Sequence, residues 1–176
     1  MARLLEALGI RRRPAAPREA RTTLQVRLEE KLAHLGSDRV EMLAAFAGLL
    51  ARGALGDAEL SPAEERAMAE HLRSRTGLSE PEAELVADVA REAAESLAGI
   101  EDHLLTRTFN AYAGPEEKEH LIDCLYAVAA ADGLVSSGED EEIKRIARAL
   151  LVPHSRVMDL RSRYRDQISV LRDLPG

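Results

Sequence analysis

Two short acidic runs hold the residue types best able to do chemistry in this chain. Asp57, Glu59 and Glu64 form one, and Asp132, Glu139 and Asp140 the other. Both supply carboxylate oxygens of the kind that calcium or magnesium gathers in sixes to eights. In each run a glutamate follows an aspartate by seven residues, so Asp57 with Glu64 and Asp132 with Glu139 are the candidate metal ligands, and a divalent cation is the one cofactor they would take. A second reading needs no metal. Ser61 and Ser136 each stand three residues before the glutamate, the spacing of a helix capping box, in which the glutamate returns to the serine amide. An aspartate just ahead of such a cap bonds turn amides. The capping reading is the stronger of the two. A calmodulin-type loop is excluded, because position twelve counted from Asp132 is Ile143 and carries no oxygen ligand.

The remaining reactive side chains assemble into less. Glu117 and His120 have the glutamate-x-x-histidine spacing of di-iron bundles, but the second pair that such a centre needs is missing. His34, His71, His103 and His154 are scattered, with no HExxH pattern, so no zinc site or nucleophile-base pair can be built from them by motif. Cys124 is the single cysteine and lies in an apolar stretch, which suits a buried small hydrophobe. Gly53-Ala-Leu-Gly56 lacks the lysine and the preceding strand of a phosphate loop. No catalytic and no organic-cofactor residues can be named.

Helices must position these groups. Leu24, Leu28, Leu32 and Leu35 recur at helical spacing over 18–35, and Gly36 stops that helix. Ser37 is placed to cap the next, which is apolar around much of its circumference from Val40 to Leu50 and is therefore central. Ser61-Pro62-Ala63-Glu64 opens a helix to about Arg75, and Ser79-Glu80-Pro81-Glu82 another, with apolar positions from Val86 to Ile100 and a break at Gly99. Leu104, Leu105, Thr108, Phe109 and Tyr112 make a short stripe, and Gly114-Pro115-Glu116-Glu117 is a fresh start. The stripe Leu121, Leu125, Val128 continues to Asp132, placing that acid at the C-terminal end of the helix on its apolar face. Ser136 to Glu139 leads a helix with Ile143, Ile146, Ala147, Leu150 and Leu151 inward and the charge run 139–142 as a solvated first turn. A last helix from His154 to about Leu171 turns Val157, Leu160, Tyr164, Ile168 and Leu171 inward. Alanine and leucine dominate and aromatics make up only 3%, which favours close helix crossings over strands. The fold class is all-α, a compact bundle of about seven to eight helices. The expected organisation is a single domain over 18–172 behind a proline-interrupted appendage, 1–17, whose short basic amphipathic stretch reads as a terminus rather than a membrane anchor.

Asp57-Ala-Glu-Leu-Ser61-Pro-Ala-Glu64 and Asp132-Gly-Leu-Val-Ser136-Ser-Gly-Glu139 coincide in aspartate, aliphatic residue, serine and glutamate at an offset of 75 residues. Each follows an apolar helix and precedes two more, so a three-helix unit is duplicated, with Leu60 and Val135 placed to staple the caps. This motif, set after the helix end Ala129-Ala130-Ala131-Asp132-Gly133, resembles the TerB-like family, and DnaJ-associated co-chaperones look similar over the same module. The resemblance spans roughly Val40 to Arg165. The second copy fits it better, since Ala58 stands where glycine is usual and Arg52 to Gly56 is glycine-broken. It implies an all-helical module of tellurite resistance and stress response, working through protein partners, some of them at the membrane.

A formal net charge of −7 repels nucleic-acid phosphates, so no nucleic acid is expected as a partner. No apolar run is long enough to cross a bilayer, and Met1 to Arg13 carries its arginines after the apolar residues, the wrong order for a signal peptide. A cytoplasmic protein follows, with peripheral contact at the inner membrane as the lesser reading. The expected function is a non-enzymatic module whose acidic surface binds a protein partner, with Asp57, Asp132, Ser136 and Glu139 as the residues to test. The alternative is a metal-dependent enzyme or storage bundle using Glu117 and His120.

Overall fold

A computed structural model describes residues 23–54, 61–96 and 102–168. The segment 1–17, Asp57, Ala58, Glu59, Leu60, Leu97, Gly99, Ile100 and Leu171, all singled out above, lie outside the described residues. Among the described residues eight α-helices run in chain order: α1 Thr23–Leu32, α2 Ser37–Ala54, α3 Pro62–Thr76, α4 Glu80–Ser96, α5 Asp102–Tyr112, α6 Pro115–Ala129, α7 Ser137–Ala149 and α8 His154–Ser162, with a 3-10 turn at Ala33–Leu35 after the first. Among the described residues there is no strand, only an isolated parallel bridge between Val135 and Ile168.

The helices begin and end where side chains serve their free backbone groups. Gly36 adopts φ 84° and closes the 3-10 turn, and its carbonyl accepts from the Val40 amide, so glycine takes the capping position expected of Ser37, which is already helical. Gly77 ends α3 in the left-handed region, where a Cβ would be strained. At Ser79 the box is half made: Glu82 accepts from both the Ser79 amide and its hydroxyl. α6 starts with proline at its first position and the Gly114 amide bonded to Glu117.

Packing follows from which helices are apolar all round. α2 buries Val40, Leu43, Phe46, Leu49, Leu50 and four alanines, and it touches α1, α4, α5, α6 and α7. α6 buries every residue from Leu121 to Tyr126. These two helices form the axis of a single apolar cluster that extends from Leu28 to Ile168. Phe46 meets Phe109 of α5 edge to face, ring centres 5.9 Å apart, an arrangement aromatic quadrupoles favour.

The duplication is exact in local geometry only at the caps. In the second unit α6 packs on both α7 and α8, whereas in the first α3 packs on α4 and on α6 from the other unit. Three boundaries differ from the sequence reading. Leu151, expected inward, is 80% exposed because α7 stops at Ala149 and the chain reverses at Leu151 with φ 60°. α8 stops at Ser162 instead of running to Leu171, and turns carry the chain to Ile168. Asp132 lies three residues past the end of α6, exposed in the turn and off the apolar stripe.

Candidate functional site

The turn from Asp132 to Glu139 is pinned by four independent devices. The Asp132 carboxylate accepts from the Leu134 amide at 3.1 Å. Gly133 has φ 96°, a region other residues avoid. The Val135 amide donates to the Gln167 carbonyl at 2.7 Å, and its side chain is fully buried. Finally, the Glu139 amide donates to the Ser136 hydroxyl at 3.2 Å while the Ser136 amide donates to the Glu139 carboxylate at 2.8 Å. The same box at Ser61 and Glu64 has distances of 3.2 and 2.7 Å, and the two serines share nearly the same backbone angles.

Glu64 and Glu139 are thus each engaged at a helix start, and Asp132 at a turn amide. Asp57 lies outside the described residues. Among the described residues no group of three or more histidine, cysteine, aspartate or glutamate side chains is placed to hold a metal ion. Glu117 is committed to the Gly114 amide in the same way, with His120 one turn on.

What the turn does present is Leu134. It is 44% exposed at the tip, one of three large hydrophobic residues exposed among the described residues, the others being Val26 and Leu151. Exposed Asp132 stands beside it, and Glu141, its side chain 67% exposed, follows on α7. The turn is therefore an acidic, apolar-tipped projection of fixed shape.

Beneath it lies a charged layer that the sequence did not reveal. Asp140, placed by the sequence in a solvated run, is buried. It accepts two bonds from Arg161 at 2.8 and 2.7 Å and one from the Tyr126 hydroxyl at 3.0 Å, and it pairs with Lys144 at 2.9 Å. Burial works against this carboxylate, but the bonds from Arg161, Lys144 and Tyr126 prevail and hold its pKa below the ordinary aspartate value. One turn before Tyr126 on α6, buried Asp123 pairs with Arg75 at 3.4 Å and Arg163 at 3.2 Å and accepts from the Tyr164 hydroxyl at 3.2 Å. The rings of Tyr126 and Tyr164 stack 5.7 Å apart. Both phenols are pushed upward, by burial first and then by the facing carboxylate, so they remain protonated donors. Burial likewise raises Cys124, aided by Asp123, and leaves it an inert thiol in the core.

Every group in this layer is spent on another within the protein. It ties α3, α6, α7 and the end of α8 together and holds the turn above it. Between 132 and 140 the sequence revealed the capping box; the layer was hidden because Arg161 and Arg163 are 21 and 40 residues from the acids they meet.

The family model described as tellurite resistance protein TerB matches residues 43–162, from the middle of α2 to the end of α8 and about two thirds of the chain. No curated protein matches, and no solved structure does.

Proposed function

The chain belongs to the tellurite resistance protein TerB family, and on that premise we propose that it is a non-catalytic docking module in tellurite resistance and the associated stress response. Its acidic turn receives an apolar, basic surface of a protein partner. The observation that carries this reading is Leu134: a leucine held in the open on a turn whose backbone is fixed in four ways, so that the loop needs no ordering on binding, which is what lowers the cost of association. Asp132 and Glu141 would set the charge of the partner, and Asp140, through Arg161, keeps the turn in place.

No helix among the described residues is long and apolar enough to cross a membrane. We place the module in the cytoplasm, reaching the inner membrane through a membrane-associated partner. A divalent cation at Asp132 would be an accessory to that contact; the box geometry of Glu64 and Glu139 favours capping as their role.

The test is capture of partners from a lysate by the whole chain, with identification by mass spectrometry. Leu134→Ser and Asp132→Ala should each lose a protein that the wild type retains; Leu134→Ser should melt close to the wild type, and Asp132→Ala, which gives up the bond to the Leu134 amide, should lose about 1 kcal/mol of stability. Equal retention by all three sinks the reading. Adding millimolar calcium, magnesium or zinc settles the cation, since a ligand of the folded state alone must raise the melting temperature.

A further inference from the structure

Three exposed carboxylates stand in a row on the outer face of α4. Glu80, Glu84 and Asp88 follow one another at four-residue intervals, which puts them one turn apart on the same side of the helix. The opposite face carries the packing, through Ala83, Val86, Ala87 and Ala90. None of the three acids has an ion-pair partner among the described residues, whereas the charges on either side of them do. Glu82 meets His34 at 2.7 Å, Arg91 meets Glu65 of α3 at 3.6 Å, and Glu92 meets Arg27 of α1. Lys31 of α1 adds its field at Glu92 and forms no ion pair with the row.

Like charges at this spacing oppose helix formation. The helix dipole offsets that at Glu80, in the first turn, but falls off before Asp88. Arg91, the single base on α4, is spent on α3. The charge that the row lacks is held at the start of the sequence. Residues 1–22 contain six arginines and two glutamates, and residues 23–176 contain eighteen bases and twenty-nine acids, so a segment of +4 precedes a body of −11. Five of those arginines, Arg11, Arg12, Arg13, Arg18 and Arg21, fall within 11–21, the last of them two residues ahead of α1.

The point of entry suits the row. α1 runs antiparallel to α4, with Arg27 on Glu92 and His34 on Glu82, so the chain joins the bundle beside the C-terminal half of α4. Pro14 and Pro17 interrupt any helix between the arginines. The stretch from Arg13 to Arg18 spans at most about 18 Å when extended, and Glu80 and Asp88 are about 12 Å apart along the helix axis. An arginine can therefore reach each end of the row.

We propose that residues 11–21 lie along this face of α4 as a basic strap, with Arg18 at Asp88 and Arg13 at Glu80. Tethering favours the chain's own segment over a separate basic protein, because a short linker presents it at an effective concentration of about millimolar. Each exposed pair is weak singly. Several on one tether hold the strap, and salt lifts it. The strap uses no residue of the acidic turn, so it stands or falls apart from the docking reading.

Paramagnetic relaxation in the full chain tests it. A nitroxide on Ala15→Cys, with the native Cys124 buried, should broaden the amides of Glu80 to Asp88 in about 0.05 M salt and release them in about 0.5 M salt, where screening shortens to a few ångströms. Glu80→Gln, Glu84→Gln and Asp88→Asn together should release them in low salt as well, with the melting temperature held or raised because the repulsion within the row is gone. Arg13→Ser with Arg18→Ser, which alters no described helix, should do the same. Broadening that falls on residues 132–142 instead, or on no part of the bundle, overturns the strap. Broadening of α4 that persists in both sets of variants overturns the arginine–carboxylate contacts. Broadening of Glu80 to Asp88 in isotope-enriched protein without the nitroxide, mixed with nitroxide-bearing protein, overturns the intramolecular strap in favour of a contact between copies.

Discussion

Asp140 and Glu141 are neighbours on the first turn of α7 with opposite fates. Asp140 is buried under Arg161, Lys144 and Tyr126, whereas the Glu141 side chain is 67% exposed and meets only Lys144. Removing a buried carboxylate leaves its cations uncompensated, so Asp140→Ala should cost about 3 kcal/mol. Glu141→Ala should stay within about 0.5 kcal/mol. Denaturant midpoints measure both; equal small losses would mean the buried pairing contributes nothing. The difference was invisible in the sequence because both acids satisfy the same helix-start rule, and what separates them is an arginine 21 residues away. His71 gives a pH signature. Its Nδ1 is buried with no hydrogen-bond partner, and burial lowers its pKa although Asp123 pulls the other way. The unfolded chain then binds the proton more readily than the folded one, so this contribution is present above the ordinary histidine pKa of about 6.5 and is lost as pH falls through it. His71→Gln should therefore melt at a temperature that varies less than the wild type's between about pH 7.5 and about pH 5.5. An unchanged pH dependence would remove His71 from the account.

At the scale of elements the two capping boxes make the clearest comparison. Their distances agree within 0.1 Å, and each serine satisfies one amide of its helix and presents its own amide to the glutamate. Ser61→Ala and Ser136→Ala should each cost about 1 kcal/mol, and a difference between them measured by chemical unfolding would show that the duplicated motif has diverged in energy where it has not in geometry. Leu151→Gly should act in the opposite sense, raising stability by about 1 kcal/mol in high salt, since the left-handed strain of a leucine is removed at a site glycine prefers. Elements fixed by neighbours three or four residues apart were legible: the boxes, the glycine stop at Gly36, the all-round apolarity of α2. The end of α8 was not. Tyr164 and Ile168 keep a helical interval and both turn inward, yet Tyr164 is bonded to Asp123 and the chain beyond Ser162 is held by the bridge to Val135, contacts set by residues 41 and 33 positions earlier. The packing of α3 on α6 was hidden for the same reason, since nothing within either unit dictates it.

For the whole molecule the question is whether the two units unfold as one. The apolar cluster runs without interruption from Leu28 to Ile168, and α2, α3 and α6 are packed across the boundary between the units. The Asp123 layer crosses it again, joining Arg75 of the first unit to Arg163 of the second. A core shared in this way should melt in a single cooperative step, as domains under about 150 residues usually do. The chain offers its own pair of probes. It has no tryptophan, and its three tyrosines, Tyr112, Tyr126 and Tyr164, all lie from the end of α5 onward. Tyrosine fluorescence therefore reports α5 and the second unit and nothing in α3 or α4, while far-ultraviolet circular dichroism reports helices throughout. The two signals should follow one denaturation curve with one midpoint. Met68→Ala in α3 and Ile143→Ala in α7, both fully buried, should shift that common midpoint by about 2 kcal/mol or more each. Fluorescence that ignores Met68→Ala while dichroism splits into two steps would mean the units are separate folding bodies that touch. The acidic turn would then owe its fixed shape to α6, α7 and α8 alone.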